Sequence, residues 1–330
     1  MIGRARPPVR SSETVVAELL EQQRRRFATL DPGLPEAAAP PPGEIVVTPS
    51  PAGDAAGVAG EHSWPAGSGP LLWSAVHVGE LHPVVGDTGA TGLDALLGAW
   101  RSRFGPRLHE ADSAAVVTWP SADVAATRVF LDRGLAPLAV LAVRPNTPLR
   151  PGPGAEVDPD LRIRRAGPSD LEACVALALE ELHYSSQVGG SIVRPDAAQM
   201  KRTTLRDRLA RGEPTWIARR ASSGAVVGML ECGQADAAPG TWLGTLLPPG
   251  RWGYVNCASV LSRERGHGVG RALVAAALPV LQHPDGAACR GTYLYYNPPN
   301  PVSSVFWPRQ GYRPLWTLWE TRPAFRLRPS

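Results

Sequence analysis

Apolar positions at helical spacing open the chain. Val15, Leu19 and Phe27 recur within residues 12–28, with Ser12 as a candidate cap, and predict a helix there. A stiff proline-rich loop (31–43) follows, then a short apolar run EIVV and a Gly/Ala/Pro-rich stretch to residue 70 that is expected to be a surface loop. Alternating or continuous apolar runs predict strands near 71–78, 113–119 and 135–144. Helices are expected near 92–104 and 121–133, the second closed by Gly134.

The segment PNTPLRPGPGAEVDP reads as a linker. Beyond it the pattern restarts. Strand 161–166 precedes a helix opened by Ser169 and Asp170, whose apolar side runs through Leu171, Val175, Leu179 and Leu182. Strands are expected at 214–220, 225–233 and 252–260. A loop rich in Pro and Gly (235–251) and a variable loop (184–200) lie between elements. A helix (269–282), a strand (291–296), a short helix (302–311) and a last strand (312–321) complete the chain. The order is mixed α/β, with a central sheet flanked by helices. The boundaries are a disordered N-terminus (1–11), a first domain (12–145), a linker (146–159) and a second domain (160–330).

The two halves resemble each other. When Gly134 is aligned with Gly311, Asp123 falls opposite Asn300, Phe130 opposite Trp307, Pro137 opposite Pro314 and Leu138 opposite Leu315. Each segment reads strand, polar turn, short helix, Gly, strand. Tandem copies of one fold explain this match.

Arg265-Gly266-His267-Gly268-Val269-Gly270 lies between an apolar strand and an amphipathic helix. Glycines let the backbone turn tightly there and approach a ligand. Amide groups of the turn and of the helix start converge on one spot, made positive by the helix dipole. A pyrophosphate fits that spot, and Arg263, Arg265 and Arg271 can add charge-assisted contacts. The competing reading is an ordinary glycine-rich turn. A nucleotide P-loop is excluded because no lysine follows, and the dinucleotide fingerprint is not matched.

Composition narrows the classes. The chain has 330 residues, 43% apolar, with 34 glycines and 35 prolines, about a fifth of the total. Nearly all its basic residues are arginine, and Lys201 is the sole lysine. A net charge of +4 does not argue for nucleic acid or an anionic membrane as partner. Cys174, Cys232, Cys257 and Cys289 show no C-x-x-C spacing, so they suit free thiols and not a metal site. No signal core follows the N-terminus and no run of 18 apolar residues exists. The expectation is a cytoplasmic protein, monomer or homodimer, with no metal.

R-x-x-G-x-G after a strand ending in Val260, followed by V-G-R-A-L-V, resembles the coenzyme A motif of the GNAT acetyltransferase superfamily. Asn300-x-x-Ser303-x-x-Phe306-Trp307-x-x-x-Gly311-Tyr312 resembles its second signature, and the resemblance covers roughly 160–322. The first half resembles a degenerate copy. Its stretch 79–92 has glycines but no R-x-x-G-x-G, and carries Glu80 and Asp87, which would repel phosphate.

The resemblance implies two tandem GNAT-like domains and one acetyl-CoA site, and transfer of the acyl group to the amine of a small molecule by direct attack in a ternary complex. It implies that Ala258, Ser259 and Val260 hold the pantetheine arm and that an amide near Ser259 or Val260 polarises the thioester carbonyl. It also implies that Arg265, Gly266, His267, Gly268, Val269, Gly270 and Arg271 hold the pyrophosphate, and that Asn300 and Ser303 contact the arm or cap the next helix. The family often has a proton-donating tyrosine four residues before the second motif's glycine. Trp307 stands there, so Tyr295, Tyr296, Tyr312 and Ser303 are the candidate acids, with Tyr296 preferred. Glu231, Asn256 and His183 are the candidate bases, Glu231 first. The alternative to an enzyme is a coenzyme A-binding regulatory protein that catalyses nothing.

Overall fold

The computed structural model describes residues 10–148 and 158–329. Most of the expected disordered N-terminus and most of the expected linker lie outside the described residues. The chain forms two compact units. One comprises residues up to Ser63, His77–Ala136 and Trp319 onward, and the other Trp64–Val76 and Pro137–Leu318. Three segments are thus exchanged relative to the sequence halves. A turn from the first half (64–76) and the strand after Ala136 belong to the second unit, and the last residues of the chain to the first.

In the first unit, α1 (Ser12–Leu30) precedes β1 (Glu44–Ser50), β2 (Gly53–Ser63), β3 (His77–Val84), α2 (Gly89–Arg101), β4 (Ser113–Pro120) and α3 (Val124–Asp132). β1, β2 and β3 pair antiparallel, and β3 pairs parallel with β4. The cap of α1 is Ser11, one residue before the expected Ser12, and its hydroxyl accepts from Thr14 N at 3.2 Å.

The largest departure from expectation is β2. Its sequence GDAAGVAGEHS lacks the bulky residues that mark strands. Here small size is the requirement. A Cβ on Gly57 would come within 3.0 Å of His82 O and of a Leu96 methyl, so α2 packs onto this strand only if its surface stays low. The strand expected near 71–78 is displaced for a related reason. Residues 69–72 form a 3-10 turn that buries Leu71 and Leu72, and β3 starts at His77.

The second unit holds β5 (Ala136–Pro145) from Pro137 on, β6 (Leu161–Arg165), α4 (Leu171–Ser186), α5 (Ala197–Ala210), β7 (Thr215–Arg220), β8 (Val226–Ala237), β9 (Gly250–Val260), α6 (Val269–Gln282), β10 (Gly291–Tyr296), α7 (Pro301–Arg309) and β11 (Arg313–Thr321) as far as Leu318. Its strand order is β11-β5-β10-β9-β8-β7-β6. β6 to β9 pair antiparallel, β9 and β10 parallel, and β10 and β5 antiparallel. Helix α6 packs on one sheet face with Val255, Leu273, Ala277 and Leu294 in its core. Helix α4 covers the other with Cys174, Val175, Ala178, Ile217 and Met229. Helix α5 begins inside the expected 184–200 loop. Its polar sequence hides a stripe of Ala197, Met200, Lys201, Leu205 and Leu209, buried at helical spacing.

The internal repeat has a structural meaning. The register that matches Gly134 with Gly311 carries α3 onto α7 end to end. Asp123 and Asn300 are both N-caps. Asp123 accepts from Ala126 N, and Asn300 accepts from Val302 N and Ser303 N. Gly134 (φ 84°) and Gly311 (φ 86°) both end their helices in the left-handed region.

Candidate active site

The site is built where β9 leaves β10. The two pair from Gly291↔Trp252 to Leu294↔Val255, after which β9 runs on to Val260 without that partner. A bulge in β9 marks the divergence. Glu231 faces Cys257 and Cys232 faces Val255, which leaves Asn256 as the extra residue. Leu261 N donates to Val227 O at 3.0 Å. Alternation along the strand then ties the backbone of Ser259 and Cys257 to β8 and turns that of Val260 and Ala258 toward the gap. Ser259 therefore cannot supply the gap amide, and Val260 or Ala258 can. The Ser259 hydroxyl is buried and without a hydrogen-bond partner.

The glycine turn follows directly. Gly266 (φ 83°) and Gly268 (φ 80°) both adopt conformations that favour glycine. A Cβ on either would meet nothing within 4 Å, so conformation and not crowding selects glycine. Gly268 caps α6 without any side-chain bond, leaving the first amides of the helix pointing outward. Gly270 has a packing role, since its Cβ would sit 3.3 Å from the Phe306 ring, which joins the glycine turn to α7. The Arg265 guanidinium is turned inward. It donates to Val260 O at 3.1 Å, lies 3.7 Å from Glu180 and stacks over Tyr184. Arg271 lines the cavity with no acid in contact among the described residues. His267 is exposed and is not part of the cavity wall.

A cavity of about 1880 Å³ runs from this turn through the gap to the α4–α5 side of the sheet. Pockets for one drug-sized ligand are typically ~300–1,000 Å³, so this one has room for a long cofactor and an acceptor together. Ala258, Ser259, Val260, Arg265, Gly266, Gly268, Val269, Gly270, Arg271, Asn300, Ser303, Tyr296 and Glu231 all line it. Asn300 is occupied as the α7 cap, and the Ser303 hydroxyl donates to Asn297 O at 3.2 Å.

Glu231, a polar residue in an apolar strand, is only 3% exposed. Asn256 Nδ2 donates to it at 3.1 Å and Arg208 Nε lies 3.4 Å away, so its charge is balanced inside the protein. Tyr254 donates to Asn256 Oδ1 at 3.0 Å, completing a chain of polar groups beside the bulge. Burial raises the Tyr254 phenol above its ordinary value. His183 is exposed and does not line the cavity. Tyr312 hydrogen-bonds Thr292 in the core at 2.9 Å and does not line the cavity. Trp307 is buried between Phe306 and Tyr312. Tyr296 packs on the α6 side, half-buried, with its phenol raised by desolvation. Tyr295, its neighbour on the opposite face, has a buried hydroxyl without a hydrogen-bond partner, and burial pushes its phenol well up.

Sequence reasoning missed two features at the α4–α5 end of the cavity. The turn at 64–76 supplies Leu72 and Trp73 to the cavity wall, held by Ile192 N donating to Leu72 O at 2.8 Å and Arg194 Nε donating to Leu71 O at 3.1 Å. Lys201, from α5, lines the same end.

The first unit's counterpart of the glycine turn is filled by its own helix. Gln23 Oε1 accepts from Val85 N at 2.9 Å and Gln22 Oε1 accepts from Asp87 N at 3.1 Å. Gln23 also donates to Pro83 O at 3.0 Å. Amides that would face a phosphate are thus satisfied by α1. Of the two acids expected to repel phosphate, Asp87 lies in this turn, whereas Glu80 lies on β3 beside His82.

An antiparallel sheet run thus splays from a parallel neighbour at a bulge, with a glycine turn and helix at the splay. Residues 177–312 match the model of the acetyltransferase (GNAT) family. A GCN5-related N-acetyltransferase from Sphaerobacter thermophilus has the same fold, at a TM-score of 0.54 and 15% identity over 92% of this chain and 85% of that one. A tandem GNAT protein from the clavulanic acid biosynthesis pathway aligns over 95% of this chain and 96% of its own, with 17% identity and a TM-score of 0.45. A GCN5-related N-acetyltransferase from Kribbella flavida gives 14% identity, 93% and 94% coverage and a TM-score of 0.45. No curated protein matches the sequence. The fold is that of two tandem GNAT-like domains. Among the described residues, no helix is long and apolar enough to cross a membrane.

Proposed function

We propose that the second unit transfers an acetyl group from acetyl-CoA to the amine of a small molecule. The observation that carries this reading is the single cavity joining the outward amides of Gly266–Arg271 to the β9–β10 gap and onward to the α4–α5 face. The residues suit the cofactor. Unpaired amides at a helix start and the Arg271 guanidinium match a pyrophosphate. Backbone groups of Ala258 and Val260 match the amides of a pantetheine arm. Acetyl-CoA supplies the activated acyl thioester.

The Val260 N–H is the donor for the thioester carbonyl oxygen. Transfer forms a C–N bond and breaks the C–S bond, so one proton must leave the amine and one must reach the sulfur. Tyr295 is the better donor to sulfur than Tyr296, because its hydroxyl is unpartnered and on the acceptor face. On that face Glu231 is already balanced by Arg208, whereas Glu181 has no basic group in contact among the described residues and accepts only from Ser185 Oγ, at 2.6 Å. Glu181 is assigned to accept the amine's proton.

Trp307 favours one other reading, a silent coenzyme A-binding protein, because a buried indole replaces the proton donor. Thiol release from acetyl-CoA decides between them, measured against a panel of amino acids, polyamines and aminoglycosides. Amine-dependent thiol release is expected. Tight cofactor binding without turnover on any amine supports the silent protein.

A further inference from the structure

Lys201 is the only lysine of the chain and sits on α5 at 6% exposure. Its Nζ lies 4.4 Å from the centre of the Trp73 ring and it lines the acceptor end of the cavity. Among the described residues, no carboxylate lies within 4.0 Å of it. Of the other cations near the cavity, Arg309 lies exposed in the last turn of α7, and the rest are committed or sit on the cofactor side. Arg144 donates to Gln310 O and Thr147 O, Arg265 to Val260 O, and Arg208 is paired with Glu213 and Glu231. Arg271 lies at the start of α6, on the cofactor side.

An ammonium at a cavity wall with no counter-charge beside it attracts an anion into that cavity, and the contact with the Trp73 ring neutralises none of its charge. The missing counter-charge has one place to come from, the contents of the cavity. The same wall carries Glu181, an acid without an ion partner. We infer that the acceptor is an amine that also bears a carboxylate, an amino-acid-like zwitterion, with its carboxylate on Lys201 under the Trp73 ring and its amine toward Glu181. A single ammonium suits a monovalent carboxylate. A phosphate dianion would call for several converging cations, and among the described residues Lys201 is the one cation lining this end.

This inference rests on the acetyl-transfer reading for its choice of amine, but the anion site can be tested without turnover. The rate test compares kcat/KM for amino acids and for their carboxamides in the wild type, Lys201→Met and Lys201→Arg. The wild type is expected to prefer the carboxylate form by roughly 10- to 100-fold, the range for a hydrogen bond to a charged group. Lys201→Met should lose the preference and Lys201→Arg should keep much of it. The binding test follows tryptophan fluorescence of the coenzyme A complex titrated with N-acetylglycine, N-acetylleucine and N-acetylglutamate against their carboxamides. If no amine turns over but the Lys201-dependent carboxylate preference persists in binding, the transfer reading fails and the anion site stands. If the wild type does not distinguish the two forms in binding, or the preference survives in Lys201→Met, the anion site is wrong. Acetyl-CoA affinity in each variant reports on folding of the second unit.

Discussion

Replacing Gly268 by alanine separates the two properties of the glycine turn. The residue has φ 80°, and its added Cβ would meet nothing within 4 Å. The protein-internal cost is therefore conformational alone, about 1–2 kcal/mol for an L-residue in the left-handed region. At ~2–4 °C per kcal/mol for a domain of this size, thermal unfolding should fall by a few degrees. The open space around that Cβ is where the pyrophosphate is proposed to lie, so the variant should also bind coenzyme A at least ~10-fold more weakly, a further loss of about 1.4 kcal/mol. Gly212 is the control. It has φ 68°, equally open surroundings and a position outside the main cavity. Gly212→Ala should cost similar stability and leave coenzyme A affinity unaltered. The assays are thermal unfolding and titration calorimetry. Equal coenzyme A affinity in Gly268→Ala and Gly212→Ala would refute the assignment of the turn.

Arg208→Met should destabilise by ~3–5 kcal/mol in denaturant unfolding, because Glu231 is left buried without its partner, and Arg208→Met/Glu231→Gln should recover much of that loss. Gln23→Ala leaves Pro83 O and Val85 N without their partner and should cost about 1–3 kcal/mol, with no second coenzyme A site gained in calorimetry. Asn300→Ala removes two accepted amide bonds at the α7 start and should cost about 1 kcal/mol by the same unfolding assay. The Arg164 guanidinium and Gly167 N–H hold the Asp170 carboxyl below its ordinary value. Between the lowered native pKa and the unfolded value near ~3.9, the unfolded chain binds the extra proton, so stability rises with pH there and is fully present above it. Asp170→Asn should flatten that acid limb in unfolding measured against pH.

What could be read from the sequence was local. The glycine turn, the helix after it and the Asn300 cap are set by residues within a few positions of one another. The repeat was legible because caps and helix-ending glycines fall at fixed offsets, as Asp123 with Gly134 and Asn300 with Gly311 do. Long-range features left little trace. β2 is a strand of small residues because Leu96, far along the chain, presses on Gly57. The assignment of 64–76 to the second unit depends on Leu71 and Leu72 packing with Leu182 and Met200, a match no periodicity reveals. Glu231 looked ambiguous in sequence because its partner Arg208 sits on a helix whose apolar stripe is sparse. Lys201 carried no motif at all, and only burial gave it meaning.

Hydrogen–deuterium exchange with and without coenzyme A tests the single-site reading most directly, because it reports which amides the ligand covers. Peptides spanning 258–273 should gain protection on addition of coenzyme A, while those spanning 83–90, whose amides Gln22 and Gln23 already satisfy, should be unchanged. Protection confined to 83–90, or none at 258–273 under saturating cofactor, would contradict it.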